Sequence, residues 1–220
     1  MNTTSAHMRD RTGAIGLLLL LAALAAVLLW FVGQVTHYAT DYSLGSYTSW
    51  FWPRRGGLLL HLSGGFVAIT AGLVQLWLGL TGRTGNLHHA LGKAYGVGIL
   101  LGAAGAVYLA LTITGAPGYA AGLFCLAMAW VVTTSMAYYA IRTRRIEQHR
   151  EWMIRSYVVT FAFVTFRLGE KIVRPIIDLP VASDFDWLDT IAAWACWAVP
   201  LVLAEPLIQL RRMRRGGAAA

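Results

Sequence analysis

The chain has 220 residues, 57% of them hydrophobic and only 13% charged, with nine Trp and a formal net charge of +8. That balance excludes an ordinary soluble domain and indicates an integral membrane protein. Its basic charge follows predicted topology, so it does not call for a nucleic-acid partner.

The first apolar stretch, residues 13–35, follows Arg9 and Arg11. Its run is longer than the core of a signal peptide and no convincing small-x-small cleavage site follows, so a retained helix is expected. In the second, 57–80, His61, Gly65, Ala68, Gly72, Gln75 and Gly79 share one helical face, which lets a neighbour approach closely. The third, 90–114, begins just after His88 and His89, holds Lys93 and Tyr95, and repeats small residues at Gly92, Gly96, Gly98 and Gly102, a helix-packing pattern. The fourth covers 119–141 after the turn "GAPG"; the fifth, 149–175, is apolar yet contains Arg155, Arg167, Glu170, Lys171 and Arg174; the sixth, 187–210, contains Glu205. At about 1.5 Å per residue each can cross a hydrocarbon core of roughly 30 Å. The expected fold class is all-α, a single domain over 1–220 forming a bundle of six transmembrane helices. Cys125 and Cys196 fall inside apolar spans, where packing is their expected role.

With both termini cytoplasmic, the inner side collects Arg9, Arg11, Arg83, Lys93, Arg142, Arg144, Arg145, Arg150, Arg155 and the arginines of 211–215, while the outer loops keep only Arg54 and Arg55. This asymmetry predicts a multi-pass protein of the bacterial inner membrane. Anionic lipid headgroups on the cytoplasmic side are then its expected partner.

Ionisable groups inside a bilayer are costly, so the fifth stretch must shelter its charges. At about 100° per residue, Arg155, Ser156, Thr160, Phe163, Arg167, Glu170, Lys171 and Arg174 share one side, and Val158, Phe161, Ala162, Thr165, Leu168 and Ile172 form a lipid-facing one. Depth divides the polar residues into two groups. Arg167, Glu170 and Lys171 belong with His61 in the outer leaflet, where Arg167, Glu170 and His61 are expected to form one buried cluster. On the inner side, His88, His89, Lys93 and Tyr95 stand at the depth of His149, Arg155 and Tyr157, and Glu205 is the natural partner of Arg155 or Lys93.

The strings "HLSGGFVAITAGLVQL", "LHHALGKAYGVGILLGAAGAVYLAL", "HREWMIRSYVVTFAFVTFRL" and "WACWAVPLVLAE" run in this order from about His61 to Glu205. Together they resemble the bacterial membrane proteins grouped as domain of unknown function 2306. The resemblance implies a multi-helix membrane fold and no particular activity. His61, His88, Gly92, Tyr95, His149, Trp152, Arg155, Tyr157, Arg167 and Glu205 match positions typical of that group. His89 replaces a usual Arg, and the Asn common a few residues before the Glu is missing from "AVPLVLAE", which has Pro200.

The sharpest functional reading is redox. A b-type haem between helices needs two axial imidazoles at similar depth and cations near its propionates. His149 with His88 or His89 would supply the first and Lys93, Arg150 and Arg155 the second, with Tyr95 and Tyr157 alongside. The arrangement is similar in architecture to small di-haem cytochromes of the b561 type, and a quinone or a membrane redox protein would be the partner. The same imidazoles equally suit a structural role at the membrane interface. Proton- or ion-coupled transport through Glu170 and Glu205 is a second functional class, and a non-catalytic assembly subunit a third. No HExxH pattern marks a metal site, and no nucleophile triad or nucleotide loop marks a soluble-type enzyme, so enzymatic activity stays undecided.

Overall fold

A computed structural model describes residues 50–177 and 187–216, together with isolated positions between 22 and 43. Every regular element among the described residues is helical. After a 3-10 turn at Trp52–Arg54 come α1 (Arg55–Leu80), α2 (Asn86–Leu111), α3 (Pro117–Arg142), α4 (Ile146–Thr160), α5 (Ala162–Ile177) and α6 (Trp187–Gly216). Four stretches are long and apolar enough to cross a membrane: Trp52–Gly79, Asn86–Leu111, Pro117–Arg142 and Trp187–Met213. The helix expected over 13–35 falls largely outside the described residues.

Only 44% of the apolar window of α1 or α2, and 17% of that of α6, is buried within the protein. Leu100, Val132, Val202 and Leu207 all point outward. Apolar surface on this scale is what a lipid environment covers.

The fifth apolar stretch is not one helix. It is divided between α4 and α5, each about 22–24 Å long at 1.5 Å per residue and so too short to span alone. The division falls at Phe161, whose N–H closes α4 on Tyr157 O (3.0 Å) and whose C=O opens α5 by accepting from Val164 (3.0 Å) and Thr165 (3.1 Å). Three β-branched residues, Val158, Val159 and Thr160, precede it, and Thr160 Oγ1 donates back to Ser156 O at 2.8 Å. Such back-bonding hydroxyls bend helices.

The bend buries Ala162, which the unbroken wheel sends toward lipid, while Thr165 stays exposed as that wheel has it. Ala162 is buried with Phe166, Ala193 and Cys196, and Thr165 Oγ1 donates to Cys196 O at 2.8 Å. That carbonyl lacks its ordinary helical donor because the residue four positions on is Pro200. The Thr165 hydroxyl, whose one proton also has Ala162 O as an acceptor at 2.9 Å, offers that carbonyl a hydrogen bond across the helix pair. Leu168 and Ile172 do face outward.

α1 and α2 form the most extensive helix pair, and glycine sets their distance. A Cβ on Gly105 would stand 2.5 Å from His61 N and 2.6 Å from Gly57 O, and one on Gly98 would stand 2.9 Å from Gly64 O. Backbone therefore meets backbone along this seam. Gly79 and Gly96, also expected as packing glycines, have nothing within 4 Å of such a Cβ.

α1 and α3 end alike. Arg83 N–H donates to Leu78 O (2.8 Å) and Arg145 N–H to Ala140 O (2.9 Å), and the residue before each donor is left-handed, Gly82 at φ 71° and Arg144 at φ 58°. Glycine takes this position without penalty, whereas Arg144 carries a cost of about 1 kcal/mol.

Candidate functional site

Three polar layers are stacked along the bundle. The first lies where α2 and α4 begin. His149 Nδ1 is 2.9 Å from Ala137 O on α3, a contact that fixes the imidazole and leaves Nε2 for another partner. His88 is half-buried, its Nδ1 is enclosed without a hydrogen-bond partner, and it stands within Coulombic reach of both His149 and His89. Its backbone carbonyl accepts from Gln75 Nε2 at 2.6 Å, which joins the end of α1 to the start of α2. His89 and Lys93 are exposed.

The second layer is a chain of hydroxyls in the middle of the helices. Tyr95, 1% exposed, lies 2.7 Å from Ser156 Oγ and 2.8 Å from Thr160 Oγ1. Trp130 Nε1 donates to Thr160 Oγ1 at 2.8 Å, and Thr134 Oγ1 lies 2.7 Å from Ser156 Oγ. One assignment of protons satisfies every member. Trp130 can only donate; Thr160 uses its proton on Ser156 O; Tyr95 then donates to Thr160 and accepts from Ser156, which accepts in turn from Thr134, whose proton is shared with Trp130 O at 2.8 Å. The layer is closed on itself, so it specifies how α2, α3 and α4 meet and keeps no hydroxyl in reserve for a ligand. Beside it, Tyr157 donates to Gly72 O at 2.6 Å, over the glycine that leaves room for its ring. Tyr95 and Tyr157, expected beside the inner site, thus serve this layer.

Arg155 and Glu205 tie α4 to α6. Nε donates to Oε2 at 3.1 Å, and Nη2 reaches Oε1 at 2.8 Å and Oε2 at 2.9 Å, while the guanidinium lies 4.8 Å from the centre of the Trp152 ring. Gln209 Nε2 adds a bond to Glu205 Oε1 at 2.8 Å. One turn beyond, Arg212 grips Glu151 by two bonds of 3.2 and 2.6 Å. Arg155 is therefore occupied by Glu205, which removes it as a partner for propionates.

The outer layer is looser. Arg167 Nη1 bonds Glu170 Oε2 at 3.0 Å, with the two side chains 41% and 21% exposed. The guanidinium covers the rings of Phe163 and Phe166. His61 does not join this pair by a hydrogen bond. Its Nδ1 lies 2.8 Å from Gly102 O across the α1–α2 seam, and its ring meets Phe163 edge-on at 6.1 Å, so Phe163 separates imidazole from guanidinium. The expected cluster is thus an ion pair with a part-buried helix-packing imidazole that stands within Coulombic reach of Arg167 but makes its hydrogen bond elsewhere. Lys171 Nζ lies 5.2 Å from the centre of the Trp30 ring, which brings the first apolar stretch to α5. Arg174 lies in α5, and its side chain is outside the described residues.

Sequence reasoning missed Trp130 and Thr134 as network members. The signal was the "TTS" at 133–135 inside an otherwise apolar helix, one turn from Trp130. Asp189 was missed as well: it is 5% exposed in the first turn of α6, and Tyr119 lies within electrostatic reach of it and of Arg167 and Glu170. Among the described residues no group of three or more His, Cys, Asp or Glu side chains could hold a metal ion. His88 and His149 are the two imidazoles of the first layer that are not exposed, one with a buried, unpartnered Nδ1 and the other oriented through its Nδ1.

The family description Predicted membrane protein (DUF2306) matches residues 58–208. No curated protein and no solved structure matches the chain.

Proposed function

Because the chain belongs to the DUF2306 family of predicted membrane proteins, we propose that it is a six-helix protein of the bacterial inner membrane, with both termini cytoplasmic, that holds a haem b through His88 and His149. The six crossings would be the stretch at 13–35, α1, α2, α3, the bent α4–α5 unit, and α6. The Lys and Arg asymmetry supports the orientation. A reporter fused after Arg215 is expected in the cytoplasm, and periplasmic activity would overturn the map.

The observation that carries the haem reading is the Ala137 carbonyl against His149 Nδ1. A metal-ligating imidazole is commonly oriented by such a bond through its other nitrogen. His88 would be the second ligand, and the exposed Lys93 and His89 would meet the propionates in place of Arg155. Bound haem supplies one-electron transfer, and a quinone or a membrane redox protein would be the exchange partner. A reduced-minus-oxidised visible spectrum of the detergent-purified protein tests the reading. A b-type signal lost in His149→Ala is expected; a well-folded protein that takes up no haem when supplied with it would remove the redox role and leave the topology standing.

The bend at Phe161 favours transport as the second reading, because interrupted helices bind ions in many transporters. Against it, the polar groups beside the bend are all engaged with one another.

A further inference from the structure

We propose that the elbow joining α3 to α4 binds the phosphate headgroup of an anionic phospholipid through Arg142, Arg144 and Arg145. The proposal is independent of the haem reading.

All three arginines are exposed and fall within four residues of chain. At this end of the bundle the ion pairs among the described residues are Arg150–Glu147, Arg155–Glu205 and Arg212–Glu151. The elbow arginines belong to none of these, so three like charges follow one another within four residues of chain, and the nearest carboxylate along it, Glu147, is bonded to Arg150. Such crowding is relieved by an anion, and guanidinium groups match a phosphate in geometry as well as charge.

Two further features point to a lipid. Arg144 holds φ 58° while its N–H donates to Ile141 O at 3.1 Å; at the equivalent place after α1 the chain uses Gly82. A long cation is retained where glycine would fit without strain, and an observed outlier of this kind is a pointer to function. Beside the arginines, Tyr138 and Tyr139 are 63% and 57% exposed, and Ile141 and Ile146 also point outward. Amphipathic rings and aliphatic groups at the level of the charges are suited to the boundary between headgroups and acyl chains. Free phosphate would satisfy the arginines alone, whereas a lipid satisfies both sets.

The test uses the full chain in neutral detergent, melted with phosphatidylglycerol, phosphatidylcholine or inorganic phosphate, with lipid retention followed by native mass spectrometry. Phosphatidylglycerol alone is expected to raise Tm. The variant Arg142→Gln/Arg144→Gly/Arg145→Gln should lose that rise, with apparent affinity falling roughly fivefold per arginine removed. Arg144→Gly guards against a folding artefact: it should melt no lower than wild type in detergent alone, since it relieves φ strain, and still retain less phosphatidylglycerol. The site would be ruled out if the triple variant kept the full rise, or if phosphatidylcholine or phosphate reproduced it.

Discussion

The two halves of the fifth apolar stretch carry similar residues to different ends. In α4, Arg155 meets a carboxylate fifty residues away on α6 and is 14% exposed; Ser156, Tyr157 and Thr160 likewise find partners on α1, α2 and α3. In α5, Arg167 meets Glu170 on its own helix and is 41% exposed. A charge paired across helices holds the bundle together, whereas a charge paired within a turn mainly satisfies itself. Residue type does not distinguish these cases; the distance along the chain to the partner does.

That contrast can be broken by substitution, read as thermal melts in detergent. Arg155→Leu should have the largest effect, a loss of about 2 kcal/mol, because the bidentate bonds and the guanidinium's packing on Trp152 go together. That figure is discounted because the Glu205 side chain is itself 42% exposed. Adding Glu205→Leu should recover part of it. If Arg155→Leu melts with wild type, the α4–α6 tie is not structural. Thr160→Val comes close behind, also at about 2 kcal/mol, since it leaves Trp130 Nε1 without an acceptor and takes one partner from Tyr95; a change under a few tenths would mean that the hydroxyl layer rearranges freely. Tyr157→Phe should lose about 1 kcal/mol, because Gly72 O lies in a helix and has a second lone pair in use. A loss as large as that of Thr160→Val would show that this bond is part of the central layer.

Arg167→Leu should fall below about 1 kcal/mol, and a double-mutant cycle with Glu170→Leu should give a coupling under about 0.5 kcal/mol. A coupling as large as that between Arg155 and Glu205 would erase the distinction between the halves.

Much of the fold was legible because run length and apolarity alone mark a spanning helix, and α1, α2, α3 and α6 lie close to the stretches read from the sequence. The partnership of Arg155 with Glu205 was legible too, from depth and the scarcity of carboxylates. The bend at Phe161 was not, for the sequence has neither Gly nor Pro there. It arises where Val158, Val159 and Thr160 crowd one turn and the Thr160 hydroxyl, drawn to Ser156 O, also receives Trp130 and Tyr95. A wheel drawn through the whole stretch therefore misplaces Ala162, which is buried, although Thr165, Leu168 and Ile172 are exposed where it puts them. His61 was placed at the right depth, but its attachment to Gly102 O depends on the backbone approach of α1 to α2, which no side-chain pattern reveals.

The bond from Thr165 to Cys196 O makes two distant positions interdependent. With Pro200 present, the hydroxyl is the interhelical donor to that carbonyl, and Thr165→Val leaves it short of a partner. With an ordinary residue at 200, the helix supplies its own donor and Thr165 becomes dispensable. The same substitution at 165 would therefore be harmful in one background and neutral in the other, a case of epistasis set by a single backbone oxygen. In a lineage, proline at 200 is expected to be accepted only after, or together with, a hydroxyl at 165.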